Sequence, residues 1–310
     1  MCGELFMKIE DLIQTKLRHI YNDDSIVFDK THFAGGLTNY NYIMNIRGTE
    51  YVIRQPGDMT HLMIDRKIEK ANNLIASEIG LNSKCVYFDE DTGIKISIYI
   101  KNSKNIGQIG PCCISNLKIV SNLMKKVHFS QIHFSNFFNW QEELNKYEQI
   151  VLGLNGAFFS DYVRFKKLLL DFMEENIKDT ISVPCHNDTV PENFVVDNNG
   201  KGYLIDWEYS GINDPAWDLA AYIIESRLTE DAIEYLLVDY YGKIPDASEI
   251  LKIKSYMMAQ DLLWTVWAII RHYSGDDFLD YCILRYERFK KNIRMLTNSL
   301  DYPMADMVKE

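Results

Sequence analysis

Residues 183–225 read VPCHNDTVPENFVVDNNGKGYLIDWEYSGINDPAWDLAAYIIE, and the rest of the chain takes its meaning from them. Three polar clusters lie inside the stretch. They are His186-Asn187-Asp188 with Asn193 five positions after the aspartate, Asp206-Trp207-Glu208-Tyr209, and Asp218. Two short apolar runs, 193–197 and 202–205, are joined by Asn198-Asn199-Gly200. An Asn-Gly turn between such runs predicts a β-hairpin. The hairpin sets the Asp188 loop near one end of a strand and Asp206 at the end of the next. Asx turns alone would account for several of these residues. They would not require a histidine before Asp188, the offset to Asn193 and an aspartate closing an apolar strand, all in that order. Metal-assisted phosphoryl transfer does need such a set. One carboxylate accepts the substrate hydroxyl's proton, while an asparagine and a second aspartate hold magnesium against the phosphates. Asp188 is thus the catalytic candidate, and Asn193 and Asp206 are the metal candidates.

Around this centre, 310 residues suffice for two lobes that each bury a core. A net charge of -11 provides no basic face for a nucleic acid and suits a small cationic substrate. The six cysteines (Cys2, Cys85, Cys112, Cys113, Cys185, Cys282) include no Cys-x-x-Cys pair, so neither a zinc site nor a secreted disulfide framework is expected. Cys185, beside the loop, reads as a small buried filler. The opening MCGELFMKIEDLI carries early acids and no long apolar core, unlike a signal peptide. Residues 262–270, the most apolar later segment, are too few to span a bilayer. A cytoplasmic protein without membrane insertion is expected.

Periodicity predicts a helix over 4–20 and strands over 26–33 and 40–46. Between those strands stand Gly35, Gly36, Leu37, Thr38 and Asn39, where a glycine pair lets backbone N–H groups approach a phosphate. The segment matches neither a P-loop nor a full G-x-G-x-x-G. A strand over 50–54 ends in Arg54. A helix over 65–78, with Ile64, Ile68, Ala71, Leu74 and Ile75 on its buried side, offers Glu69 as the partner of that cation. Strands over 85–88 and 93–100 lead to a hinge at 99–103, where the backbone of Tyr99 and Ile100 would meet the adenine edge. Helices follow over 115–128, twice within 140–178, and over 218–227, 231–241, 248–272 and 281–300. Strands with one helix, then mostly helices around a catalytic hairpin, give an α+β, two-lobed protein-kinase-like fold. The small β-rich lobe with one key helix, residues 1–102, would bind nucleotide. The larger, mainly helical lobe, 103–310, would carry catalysis and substrate. In its long helix Asp261, Trp264 and Trp267 share a face; aromatic residues at that spacing are, by themselves, ordinary core.

HNDTVPENFVV, LIDWEYSG and DPAWDLA together resemble the choline/ethanolamine kinase family, particularly its bacterial choline kinases. That family shares the aminoglycoside-phosphotransferase branch of the protein-kinase-like fold. The resemblance implies ATP and magnesium as cofactors and choline as substrate. Gly-Gly-Leu-Thr-Asn is similar to the family's phosphate loop, and the family also has arginine in the strand of Arg54. Trp264 and Trp267 match the Trp-x-x-Trp helix that lines its choline pocket, Tyr281 matches a later aromatic, and Tyr209 and Glu225 match further pocket positions. A trimethylammonium group has no N–H donor, so aromatic faces and a nearby carboxylate are what can hold it. His186 is expected to brace the loop and Asp218 to fix it through its backbone. The alternatives are an ethanolamine kinase, an aminoglycoside phosphotransferase of the same fold, and a non-catalytic nucleotide-binding relative.

Overall fold

Alternating burial along residues 39–56 makes one hairpin the centre of the N-terminal unit. Arg47 and Gly48, at φ 53° and 82°, form its two-residue turn, the left-handed pair that matches the twist of antiparallel strands. The structure is a computed structural model describing residues 8–35 and 39–309. It divides into two compact units, Met1–Asn102 and Ser103–Glu310.

The first unit runs α1 (Ile9–Tyr21), β1 (Phe33–Gly35), β2 (Asn39–Ile46), β3 (Thr49–Pro56), α2 (Thr60–Met63), α3 (Arg66–Glu78), β4 (Cys85–Phe88) and β5 (Lys95–Ile98). The strands form an antiparallel sheet in the order β1-β2-β3-β5-β4. Met44 pairs with Tyr51 and Ile53 with Ile96, so their side chains share one face. Ile13 and Leu17 of α1 close on that face, and both are fully buried. Each such aliphatic side chain contributes about 1.5–3 kcal/mol.

Two expectations change here. Most of the strand expected over 26–33 is absent; only Phe33–Gly35 pairs. The preceding residues are held by side chains instead, with Phe28 N donating to Gln14 and Asp29 capping Thr31. The second change is in α3. Ala71 and Leu74 are exposed, while Arg66, Glu69, Asn72, Asn73 and Ala76 are buried. Ionic partners for Glu69, described below, turn the polar face inward.

The second unit begins with β6 (Lys104–Asn105), α4 (Ile106–Ile109) and α5 (Ile114–His128), then α6 (Trp140–Gly153) and α7 (Tyr162–Asn176). β7 (Val183–Cys185), a 3-10 turn (Pro191–Asn193), β8 (Phe194–Val196), β9 (Gly202–Leu204) and β10 (Gly211–Asn213) make up the predicted catalytic hairpin and its frame. β8 and β9 pair antiparallel as expected, with β6 on the outer side of β8, and β7 pairs with β10. The remainder is α8 (Ala216–Glu225), α9 (Glu230–Tyr241), α10 (Ala247–Tyr273), α11 (Leu279–Asn298) and α12 (Met304–Met307). Asp246 caps α10 with a capping box that includes Glu249. α10 is buried almost all round and packs against α6, α8 and α11, which makes it the axis of the unit. Among the described residues no helix is long and apolar enough to cross a membrane.

Candidate active site

β7 delivers the chain into His186-Asn187-Asp188 with an uncommon backbone. Asn187 sits at φ 66°, a conformation that surrounding contacts must hold. Asp218, in the first turn of α8, supplies part of that hold. Its carboxylate accepts from the backbone N–H of His186 at 2.9 Å and of Asn187 at 2.7 Å, and its carbonyl accepts from Thr189 Oγ1 at 2.6 Å. Trp217 Nε1 donates to the Asn187 carbonyl, Asn187 Nδ2 to the Tyr209 carbonyl, and Asn213 Nδ2 to Asn187 Oδ1. His128, at the end of α5, meets the same Asp218 carboxylate through Nε2 at 2.9 Å and the Tyr240 hydroxyl through Nδ1 at 2.7 Å. An acceptor facing Nε2 makes that nitrogen the donor and leaves Nδ1 to accept.

The ring of His186 is fully committed to structure. Nε2 meets the Ile205 carbonyl at 2.9 Å, and Nδ1 accepts from the Asp188 N–H at 3.3 Å. Burial holds its pKa below the ordinary value. The imidazole is therefore a neutral brace.

Asn193, closing the 3-10 turn, donates through Nδ2 to the carbonyl of Asp188 at 2.8 Å and to its Oδ2 at 3.0 Å. Asp206 follows β9 at φ 66°, a second left-handed residue in the same site. It brings a carboxylate oxygen within 4.8 Å of one from the buried Glu208. Burial, followed by the negative charges of Asp206, Glu208 and Glu225, pushes the Asp188 carboxyl well above the ordinary carboxylate value. A concentration of hard oxygen donors fits a small divalent cation.

An aromatic chain continues from this cluster. The Tyr209 ring stands edge-on to Trp264 at 5.3 Å, and Trp264 to Trp267 at 6.3 Å. Trp267 in turn meets Tyr281 at 6.3 Å and Phe278 at 5.0 Å. Trp264 and Tyr281 are half-buried, and Trp267 is buried with no hydrogen-bond partner at Nε1. Beneath them lies an ionic lattice: Arg285 donates to Glu225 and to Asp261 Oδ1 at 3.1 Å, and Arg288 grips Asp261 at 2.9 and 2.7 Å.

The choline/ethanolamine kinase family profile matches residues 31–249. The chain belongs to the choline/ethanolamine kinase family. Protein LicA of Haemophilus influenzae is 34% identical over 277 residues, covering 87% of this chain and 80% of LicA. The crystal structure of choline kinase LicA from Streptococcus pneumoniae superposes with a TM-score of 0.77 at 28% identity, covering 93% of this chain and 99% of that one. A structure of LicA in complex with AMP gives 0.78 at the same identity and coverage. The protein is thus a phosphotransferase with an alcohol acceptor, on the protein-kinase-like α+β fold.

For this member of the choline/ethanolamine kinase family, the residues singled out in the sequence fall as follows. Asp188, Asn193, Asp206 and Tyr209 come together around the hairpin, and Glu225, Trp264, Trp267 and Tyr281 line the aromatic side. Asp261 lies in α10 as expected but is wholly buried, and its carboxylate accepts from two arginines. In the N-terminal unit Arg54 and Glu69 do pair, at 2.5 and 3.0 Å, and both are buried. Arg66 at 2.6 Å and Lys95 at 3.4 Å join the same glutamate, and Arg54 also donates to the Gly93 carbonyl. Against the burial that opposes its charge, these three cations hold the Glu69 carboxyl far below its ordinary range. Tyr99 and Ile100 are half-buried after β5, with Tyr99 N donating to the Glu50 carbonyl at 2.9 Å. Gly35 ends β1 and the buried Asn39 begins β2; Gly36, Leu37 and Thr38 lie outside the described residues.

Sequence reasoning missed Arg66, Lys95, His128, Phe278, Arg285 and Arg288. A signal for two of them was available, because Arg285 and Arg288 follow Tyr281 at i+4 and i+7, on the same face of one helix.

Proposed function

We propose that this protein transfers the γ-phosphoryl group of ATP to the hydroxyl of choline, giving phosphocholine. The observation that carries the reading is Tyr209, whose carbonyl accepts from Asn187 in the loop of Asp188 while its ring stands against Trp264. One residue thus couples the carboxylate cluster to the aromatic surface. A small alcohol with a quaternary ammonium at its other end matches that adjacency: the hydroxyl meets Asp188, and the cation meets π faces. The likeness to a choline kinase, LicA, and to LicA in complex with AMP supports choline as acceptor and a nucleotide as donor.

Asp188 would orient the hydroxyl and accept its proton as the bond to phosphorus forms. Asn193 steadies that carboxylate through its amide, and Asn193, Asp206 and Glu208 would hold magnesium. When bound, the metal neutralises charge on the phosphate oxygens and on the crowded acids. Arg54, Lys95 and Arg66 converge on Glu69 in the N-terminal unit, and cations of this kind suit a polyphosphate. The small unit, residues 1–102, is the nucleotide-binding lobe of this reading, and residues 103–310 carry catalysis and substrate.

The test is magnesium-dependent ATP consumption against choline, ethanolamine and several aminoglycosides. Selective turnover of choline is expected, with Asp188→Ala losing at least about a hundredfold in kcat while nucleotide binding persists. Turnover of ethanolamine alone would overturn the aromatic reading, and near-normal turnover by Asp188→Ala would remove that residue from the chemistry.

A further inference from the structure

The carboxylate of Glu225 has an arginine partner before any substrate arrives. Glu225, at the end of α8, accepts from Arg285 Nη2, and Arg285 is 2% exposed. The same guanidinium donates from Nη1 to Asp261 and lies 4.8 Å from the centre of the Tyr281 ring. Arg288 completes the lattice on Asp261. Two carboxylates face two guanidiniums, so the floor under Trp264, Trp267 and Tyr281 is electrically balanced before any ligand arrives.

That balance bears on which amine the site accepts. A primary ammonium is strongly hydrated and carries three N–H donors that must find acceptors when water is stripped away. A quaternary ammonium has no such demand and gains most from aromatic faces. Building on the choline reading above, we infer that Arg285 is the positioning residue that sets amine preference: by holding Glu225 it withholds the carboxylate from N–H donors and favours a quaternary over a primary ammonium.

Replacing Arg285 leaves Asp261 paired with Arg288, so the change falls mainly on Glu225. In Arg285→Gln, the choline-to-ethanolamine ratio of kcat/KM should fall about tenfold, through a lower KM for ethanolamine, as the freed carboxylate takes up N–H bonds. Thermal-shift titration with methylammonium and tetramethylammonium chlorides gives a readout without turnover; methylammonium should stabilise Arg285→Gln more than it stabilises the wild type. Glu225→Gln supplies an independent arm should Arg285→Gln not fold. A carboxylate already withheld contributes little to discrimination, so this ratio should stay within about twofold of wild type, whereas a direct Glu225–ammonium bond would raise it about tenfold. An unchanged ratio in Arg285→Gln, or a raised one in Glu225→Gln, overturns the inference while wild-type choline turnover stands. Absence of wild-type choline turnover instead overturns the reading on which the inference rests, and the inference with it.

Discussion

In the N-terminal unit one glutamate, Glu69, faces Arg54, Arg66 and Lys95. In the C-terminal unit Glu225 and Asp261 face Arg285 and Arg288, charge for charge. Both clusters are largely buried, and removing Glu69 or Asp261 would strand guanidinium groups away from water. They differ in ratio. The first sets three cations on one glutamate. The second sets two guanidiniums against two carboxylates, so on the reading proposed above attraction for a cation passes to the aromatic rings and to the acids around Asp188. A pocket for a cation need not be an acidic pocket. On the reading proposed above, pairing Glu225 with Arg285 turns recognition from charge towards shape and polarizability.

Substitutions can break this contrast, and Glu69→Ala should have the largest effect. It leaves two buried arginines and the half-buried Lys95 without their shared acid and should cost about 3–5 kcal/mol, read as a fall in the denaturation midpoint. Wild-type stability in that variant would mean the cluster is not what holds α3 with its polar face inward. The pH dependence sharpens the point. A carboxyl whose folded pKa is depressed contributes stability above its ordinary 4.5 and loses it as pH falls. The gap between wild type and Glu69→Gln should therefore be full at neutral pH and narrow only below that value. Asp261→Asn comes next, at about 2 kcal/mol, because Arg285 keeps Glu225 and the amide still accepts one bond. A loss as large as that of Glu69→Ala would show the second lattice to be less balanced than its pairs imply. Trp264→Ala should raise the KM for choline about tenfold and leave that for ATP unchanged, since it removes a π face and no charge. Phe278→Leu, one ring further along the chain of aromatics, should raise it about threefold; equal effects on the two substrates in either variant would mark the ring as packing.

What could be read in the chain follows from how local the cause is. His186, Asp188, Asn193 and Asp206 were legible because a single hairpin carries them, and turn chemistry fixes that hairpin from adjacent residues. The long helices were legible from period alone; α5 and α8 to α11 fall within a few residues of expectation. The buried face of α3 was not, because period assigns Ala71 and Leu74 to the core and cannot see three cations arriving from Arg54, Arg66 and Lys95. Nor was the use of Asp261. Its helix predicts a face shared with two tryptophans, but the arginines that claim its carboxylate come from α11, more than twenty positions later. Sequence pattern reports what a segment offers, and distant partners decide what it spends.

The bonds of Asp218 also fix an order of assembly. The loop at His186 and Asn187 owes its left-handed turn to a carboxylate some thirty positions further along, backed by a histidine on α5. A chain emerging from the ribosome presents His128 first, then the loop, and only afterwards the residue that shapes it. Until α8 has been made and docked, the nascent polypeptide lacks the carboxylate that accepts from the His186 and Asn187 backbone.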